Sequence, residues 1–189
     1  MKIGVLALQG AFREHCWMLE GCGIAAIEIR KPEELDDVAG LIIPGGESTT
    51  IGKLMVQWGL MDKIKSRVSQ GMAVYGTCAG MIMLAKDIID SDQPRLGLLD
   101  AEVRRNAFGR QRESFEADMV VPEFGVEPLR AVFIRAPYIE KAGEGVKVLA
   151  KVRDKIVIAR QGKILVTAFH PELTDDDRIH KYFISMINE

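Results

Sequence analysis

Cys78 lies in the pentapeptide GTCAG, residues 76–80, where a predicted strand (72–75) meets a predicted helix (79–86). A nucleophile on such a strand–turn–helix elbow projects from the carboxyl edge of a sheet, and small flanking residues relieve the crowding. The first turn of the following helix offers unpaired N–H groups, which stabilise a thiolate and a nearby oxyanion. A buried cysteine at a tight turn would give the same pattern, so the elbow alone leaves both interpretations open.

A thiol nucleophile needs a base, and His170 is the best placed of the three histidines. It ends the apolar run 164–169 and precedes Pro171, which favours an extended backbone. Side chains two residues apart in an extended chain point to the same side, so Glu172 can hydrogen-bond one ring nitrogen of His170. Together with the elbow, this predicts a Cys78–His170–Glu172 triad. A strand-end histidine beside an unrelated surface glutamate is the alternative.

The remaining cysteines and histidines favour structural roles. Cys16 and Cys22 fall on the apolar face of a predicted first helix, which indicates core packing. His15 and His180 lie among polar positions of predicted helices, where a solvated side chain is expected. No Cys or His cluster completes a zinc site, and the three aspartates at 175–177 favour helix capping, so we expect no metal.

A second glycine-rich segment, PGGESTT at 44–50, also follows a predicted strand. Carboxyl ends of parallel strands meet at one sheet edge, so this loop is expected beside Cys78. The two glycines let the backbone turn an N–H toward a ligand, and the amides of Gly46 and Ala79 would form an oxyanion hole. A plain turn in which Ser48 caps a helix is the alternative. The loop does not match the phosphate-binding glycine patterns.

The elements that position these residues alternate in the first half of the chain. Short apolar runs that predict strands are separated by stretches with helical spacing, which is typical of a parallel sheet covered on both faces. The predicted strands are 2–8, 25–29, 40–44 and 72–75, and the predicted helices include 48–58, 60–69 and 79–86.

The second half is rich in β-type segments with short turns and predicts an antiparallel extension packed on the parallel sheet. The segments are 98–104, 131–134, 146–152, 156–160 and 163–169, and a last helix is expected to begin at Thr174 and run to Ile187. We find no linker or repeat, so residues 1–189 are expected to form a single domain.

Composition limits the class of protein. The 189 residues carry 25 Lys and Arg against 27 Asp and Glu, a formal net charge of −2, which argues against a large basic surface for nucleic acid. The chain is 48% hydrophobic, but no apolar run reaches the length of a membrane span. Three cysteines do not indicate a disulfide framework, so we expect a reducing, cytoplasmic setting.

The chain resembles class I (triad) glutamine amidotransferase domains, and more narrowly the glutaminase subunits of pyridoxal 5′-phosphate synthase. The similarity runs nearly end to end, and the elbow and the His-Pro-Glu segment belong to the wider superfamily. The segments that carry it are LALQGAFREH at 6–15, PGGESTTIGKL at 44–54, YGTCAG at 75–80, RNAFGRQRESFE at 105–116, FIRAP at 133–137 and FHPELTDD at 169–176.

This resemblance implies a flavodoxin-like three-layer α/β/α sandwich, with a mainly parallel sheet and an antiparallel β extension. It implies hydrolysis of L-glutamine to L-glutamate and ammonia through a thioester on Cys78. His170 would act as the base, Glu172 would orient it, and Gly46 and Ala79 would hold the oxyanion.

By the same resemblance, glutamine binding falls to the loop of Gly46, Glu47 and Ser48, to Arg105, and to the backbone of Ile134 and Arg135. A guanidinium suits the substrate α-carboxylate because it can grip it with two parallel hydrogen bonds. From the residues alone, the alternative is that Arg105 is a solvated arginine in a loop and does not bind substrate.

The resemblance further implies a partner, the ammonia-accepting synthase subunit, with twelve subunits of each kind in the full complex. We expect no cofactor on this chain, no nucleic acid and no membrane contact. Segments near the glycine-rich loop are expected to face the partner, namely residues 9–10, residues 13–15 and Glu47.

Three alternatives remain open at this point. The chain could be a stand-alone cysteine hydrolase or deglycase of the same architecture, which would need no partner. It could be an amidotransferase that feeds another pathway. It could also be a catalytically silent binding module, in which case Cys78 would not react with thiol reagents.

Overall fold

The structure of the protein, a computed structural model, describes residues 1–106 and 114–189. Its first half follows the predicted alternation of strands and helices. The elements are β1 (Lys2–Leu6), α1 (Phe12–Gly21), β2 (Ala25–Ile29), β3 (Gly40–Ile43), α2 (Ser48–Gln57), α3 (Leu60–Ser69), β4 (Ala73–Thr77) and α4 (Ala79–Leu84). Strands β3 and β4 are buried along their whole length, as expected of central parallel strands covered by helices on both faces.

The second half contains most of the strands and one long helix. The elements are β5 (Ala85–Ile88), β6 (Leu99–Arg104), β7 (Ser114–Met119), β8 (Leu129–Ile134), β9 (Tyr138–Ala142), β10 (Lys147–Val152), β11 (Lys155–Gln161), β12 (Ile164–Thr167) and α5 (Arg178–Ile187). Along β6 and β8, buried and more exposed residues alternate, which is typical of strands with one covered face.

A ten-stranded mixed sheet joins the two halves in the order β2-β1-β3-β4-β12-β11-β9-β6-β5, with β10 beside β11. The pairs from β2 to β12 are parallel, and the pairs from β12 through β11 and β9 to β6 are antiparallel. This confirms the predicted α/β fold with a parallel sheet and an antiparallel extension. In addition, β7 and β8 form a separate antiparallel pair.

Two helix boundaries differ from the sequence predictions by more than one residue. The helix predicted over 79–86 ends at Leu84, because Ala85 begins β5 and pairs with Leu99. The last helix begins at Arg178 rather than at Thr174. The Thr174 hydroxyl instead donates to the carbonyl of Pro171 and closes a turn before the helix.

The register between β4 and β12 positions the site. Thr77 pairs with Thr167, so both parallel strands end at the same edge of the sheet. The residues that follow each strand, Cys78 on one and His170 on the other, are therefore delivered to neighbouring places. Within the described part of the chain, no helix is long and apolar enough to cross a membrane.

Candidate active site

Cys78 occupies a strained turn between β4 and α4, with φ 47° and ψ −103°. A positive φ is unusual for a residue with a side chain and is typical of a nucleophile elbow. Gly76 and Gly80 on either side of Cys78 must be glycines, because other backbone segments pass too close for a side chain. A Cβ on Gly80 would overlap the carbonyl oxygen of Ile43, and one on Gly76 would press against the backbone of Gly80. The GTCAG segment therefore folds as an elbow because its glycines let β4, α4 and β3 approach closely.

His170 and Glu172 lie directly after β12, and Pro171 begins a short 3₁₀ turn between them. Nδ1 of His170 lies 2.7 Å from Oε1 of Glu172, whose carboxylate is buried. Burial alone would lower the pKa of His170, but hydrogen bonds with Cys78 and Glu172 raise it to about 10. The structure thus brings the three predicted triad residues together, in an arrangement that favours a protonated imidazole on His170.

The glycine-rich loop lies against the same edge. The Gly45 amide donates to Oγ1 of Thr77 at 3.0 Å, and the Gly45 carbonyl accepts from the amide of Ala11 at 3.0 Å. Because a trans peptide is planar, the N–H of Gly46 points away from Ala11. Within residues 1–106 and 114–189, neither the Gly46 nor the Ala79 amide donates to another protein group, so both are available to a ligand.

Glycine at position 45 is a steric requirement. A Cβ there would overlap the ring of His170, and a Cβ on Gly10 would overlap the carbonyl oxygen of Gly45. Gly10 also has φ +99°, which disfavours any other residue. The turn at residues 9–11 and the loop at 45–46 are therefore packed backbone against backbone beside the triad.

Glu47 caps helix α2, a role that the sequence assigned to Ser48 as the alternative interpretation. Its carboxylate accepts from the amides of Thr49 at 3.1 Å and Thr50 at 2.7 Å. Desolvation would raise the pKa of Glu47, but the hydrogen bonds from Thr50 and Thr49 lower it to about 2. Its own amide donates to Oε1 of Gln9 at 2.7 Å, which ties the loop to the 9–11 turn a second time.

An open cleft of about 530 Å³ lies over the elbow, within the usual range for small-molecule sites. Most of the predicted site residues line it. The lining residues are Gln9, Gly10, Ala11, Gly45, Gly46, Glu47, Ser48, Cys78, Ile82, Arg105, Asn106, Ile134, Arg135, His170 and Leu173. Ala79 and Glu172 are not among the lining residues, but they lie one and two positions after Cys78 and His170, which are. The part of the RNAFGRQRESFE segment at 107–113 lies outside the described residues.

Arg105 is held by a residue that the sequence analysis missed. Its NH1 group donates to Oε1 of Gln93 at 2.8 Å, and the Ser48 hydroxyl donates to the same oxygen at 3.2 Å. Gln93 is only 7% exposed, so its carbonyl serves as a fixed point between two residues of the cleft. No motif marks Gln93 in the sequence; it lies in a loop without periodicity, 12 residues before Arg105.

On the opposite wall, β8 ends at Ile134, and its carbonyl oxygen lies 3.9 Å from the Cys78 sulfur. Arg135 follows with φ 42°, and two other non-glycine residues that line the cleft, Cys78 and Asn106, also have a positive φ. Both Ile134 and Arg135 line the cleft.

The expectation that His15 and His180 are solvated is wrong: both side chains are completely buried. Helices α1 and α5 turn these positions inward, and Nδ1 of His15 lies 2.9 Å from Nε2 of His180. Burial lowers the pKa of both rings. For His15 this also means that its side chain cannot face a partner, unlike the exposed Arg13 beside it.

The other two cysteines differ from Cys78. Cys16 is buried, and burial together with Glu28 raises its pKa to about 11. Cys22 is half-buried at the end of α1, and burial and Asp177 raise its pKa as well. Both thiols stay protonated at neutral pH and are therefore poor nucleophiles. In the described ranges, no group of His, Cys, Asp or Glu is placed to hold a metal ion.

Comparison with known proteins supports the same reading of the chain. The profile of the SNO glutamine amidotransferase family matches residues 5–189. A pyridoxal 5′-phosphate synthase subunit PdxT from Pelotomaculum thermopropionicum is 61% identical over 184 residues, covering 97% of this chain and 94% of that protein. The protein of the same name from Moorella thermoacetica is 60% identical over 187 residues, covering 99% and 100%.

A solved structure described as a glutamine amidotransferase superposes with a TM-score of 0.95 at 53% identity, over the full length of both chains. This similarity covers the mixed sheet, the elbow and the segment after β12. The α/β architecture described above is therefore that of a glutamine amidotransferase.

Proposed function

Because the chain belongs to the SNO glutamine amidotransferase family, we propose that it hydrolyses the side-chain amide of L-glutamine, releasing L-glutamate and ammonia. The observation that carries the proposal is the placement of Cys78, His170 and Glu172 at one edge of the sheet under an open cleft. A thiol, an imidazole and a carboxylate in this order provide nucleophilic catalysis of acyl transfer.

The reaction has two halves. Cys78 gives its proton to His170, and its sulfur attacks the amide carbon to form a tetrahedral adduct. His170 then protonates the leaving nitrogen, which departs as ammonia and leaves a thioester. In the second half, water attacks the thioester carbon with His170 accepting its proton, and glutamate and the free thiol are restored.

The negative charge of each tetrahedral adduct would fall between the amides of Gly46 and Ala79. One belongs to the glycine-rich loop and the other to the first turn of α4, and both are free of internal acceptors within the described ranges. Two backbone donors aimed at a developing oxyanion are among the largest contributions to this kind of catalysis.

Substrate orientation would come from the walls of the cleft. The Arg105 guanidinium suits the α-carboxylate of glutamine, with Gln93 holding the arginine from behind. The backbone of Gly46, Glu47 and Ser48, and that of Ile134 and Arg135 opposite, would contact the rest of the amino acid. The Glu47 carboxylate is occupied by the cap of α2.

The names of the close relatives extend the proposal to a partner. We infer that the ammonia passes to a pyridoxal 5′-phosphate synthase subunit on a separate chain, for the biosynthesis of vitamin B6 in the cytoplasm. The resemblance implies twelve copies of each subunit in the full complex. Neither the thiol chemistry nor the binding of glutamine calls for a cofactor on this chain.

Ammonia release from glutamine, measured with and without the synthase subunit, tests this function. Cys78→Ala should abolish release while leaving the fold and partner binding intact. Hydrolysis that needs no partner would favour a stand-alone hydrolase, and failure to complement a vitamin B6 requirement would favour another pathway. A Cys78 that does not react with iodoacetamide, together with no ammonia release, would favour a binding module.

A further inference from the structure

A buried row of side chains continues from the triad away from the cleft. Glu172 accepts from His170 through Oε1, and its second oxygen, Oε2, lies 3.3 Å from Nε2 of His15. Nδ1 of His15 in turn lies 2.9 Å from Nε2 of His180. The row therefore joins the catalytic base to helices α1 and α5, and the side chains of Glu172, His15 and His180 have no exposed surface or almost none.

His15 is the polar neighbour of the second Glu172 oxygen. In the described part of the chain Oε2 has no other hydrogen-bond partner, and even the His15 contact is longer and less well aligned than an ideal bond. A buried carboxylate oxygen is expensive to leave without a donor. The Glu172 carboxylate therefore depends on an N–H at Nε2 of His15.

The charges fix which nitrogens carry protons. Burial lowers the pKa of His15 and of His180, so both rings are neutral near pH 7 and each carries one N–H. A lone pair on Nε2 of His15 would face the Glu172 carboxylate, so the proton belongs on Nε2. Nδ1 of His15 then accepts from Nε2–H of His180. Nδ1 of His180, unpartnered within the described ranges, is left as a bare acceptor rather than a stranded donor.

We propose that His15 and His180 are positioning residues for the hydrolysis, with His180 orienting His15 and His15 holding the second oxygen of Glu172. The carboxylate then keeps its first oxygen on Nδ1 of His170, and the ring keeps its other nitrogen toward Cys78. The proposal rests on the function proposed above and extends its triad to five residues.

The surroundings of His15 make the row sensitive to pH. Ionisable groups face the ring from each element packed on it: Glu172 and His170 after β12, His180 on α5, Tyr75 on β4, and Glu14 on its own helix. Burial would raise the pKa of Glu172, but His15 and His170 lower it. Without the donor on His15, the carboxylate takes up a proton at higher pH and releases His170.

Thr77 links the row to the oxyanion loop. Its Oγ1 lies 3.1 Å from Nε2 of His15 and accepts from the Gly45 amide at 3.0 Å. The N–H of His15 is therefore shared between Thr77 and Glu172. The His15 ring therefore contacts both Thr77, which precedes Cys78, and the Glu172 carboxylate, which holds His170.

Two substitutions of His15 separate positioning from packing. His15→Asn keeps a polar group near Nδ1 for His180 but places nothing at Nε2, whereas His15→Gln carries its amide to the Nε2 position and can still donate to Glu172. We expect His15→Asn to lower kcat for glutamine by about 10- to 100-fold with little change in KM, and His15→Gln to retain most of the activity.

The pH dependence provides a readout that simple loss of packing would not move. In His15→Asn the acid limb of kcat/KM should shift upward by about one pH unit, and His15→Gln should keep the wild-type limb. His180→Leu should shift it in the same direction but less, because His15 remains. Cys16→Ala is the control, since it removes a buried group of the same helix whose charged neighbours are Glu28, Glu20, Arg30 and Glu14. Cys16→Ala should lower the melting temperature without shifting the acid limb of kcat/KM.

The pH dependence of Cys78 alkylation by iodoacetamide should show the same shifts of the acid limb among the variants, and it can be measured without glutamine. A wild-type chain that alkylates normally but releases no ammonia even with the synthase subunit present would contradict the proposed function. The pH profile of alkylation would then still test the roles of His15 and His180. The positioning role is overturned if His15→Asn keeps the wild-type profile, or if His15→Gln loses as much as His15→Asn. It is supported if the Asn and Gln variants, matched for folded fraction, differ as described.

Discussion

The amide of Ala11 donates to the carbonyl oxygen of Gly45 across 3.0 Å, and this bond sets the direction of the Gly45–Gly46 peptide beside the nucleophile. With the carbonyl held by Ala11, the N–H of Gly46 points the opposite way. A peptide between two glycines can also adopt the reversed orientation at little steric cost. The turn at residues 9–11, where we expect the partner to bind, is therefore coupled directly to an oxyanion donor.

Because the reversed orientation costs little, we predict that the isolated chain samples both orientations and is a poor glutaminase, and that its synthase partner activates it by favouring the orientation held by Ala11. Loss of one oxyanion donor typically costs about 10²–10³ in rate, so kcat should rise by up to that factor with saturating partner. Ala11→Pro, which lacks the amide, should reduce the activated rate, whereas Ala11→Ser keeps the amide and should respond like the wild type. Full activity in the isolated chain, unchanged by the partner, would refute the switch.

The second prediction concerns the covalent intermediate. A glutamine analogue with an electrophile at the amide carbon should label the chain once, at Cys78, and His170→Asn should label far more slowly because its thiol has lost its base. Cys16 and Cys22 should stay unlabelled, since their raised pKa values keep them as thiols. Mass spectrometry of the labelled peptides checks the site, and labelling at Cys16 or Cys22 would contradict the assignment.

The third prediction separates substrate binding from chemistry. Arg105→Ala should raise KM for glutamine by about 10- to 100-fold, as expected for a charged hydrogen bond to a carboxylate, with a smaller change in kcat. Gln93→Ala should raise KM in the same direction but less, because it only loosens the arginine. Arg104 offers a matched control, since its guanidinium pairs with Glu140 instead. Steady-state kinetics in which Arg104→Ala and Arg105→Ala behave alike would remove Arg105 from the site.

The catalytic segments could be predicted from the sequence because their signals are local. A glycine–nucleophile–glycine elbow and a His-Pro-Glu segment each follow a buried strand, and parallel strands deliver both to one edge. The contact between His15 and His180 could not, because the two residues lie 165 positions apart in sequence. Their burial does follow the helical spacing, since Leu19 lies four residues after His15 and Phe183 three residues after His180 on the same buried faces. The separate pairing of β7 with β8 likewise depends on which strands find each other, and strand composition does not determine that.

The last prediction concerns stability in mild acid. The folded chain lowers the pKa of His15 and His180 below 6.5, so the unfolded chain binds more protons once the pH falls under that value. The free energy of unfolding should therefore decrease from pH 6.5 toward 4.5, by up to about 1.4 kcal/mol per pH unit for each histidine. His170 adds no slope there, because its pKa of about 10 lies above the unfolded value and both states are protonated below 6.5. Glu172 adds none either, because its lowered pKa matters only below about 4.5.

His180→Phe tests this sign directly. It removes one titrating ring from a site already lined by Tyr75 and Phe183, so the variant can fold with an aromatic group in the same place. The free energy of unfolding, measured by urea titration at several pH values between 4.5 and 6.5, should change less steeply with pH than in the wild type. The difference should be up to about 1.4 kcal/mol per pH unit, which corresponds to one proton. Parallel slopes for the two proteins would mean that His180 does not titrate differently in the folded and unfolded chains, and that the buried row is not kept neutral by the fold.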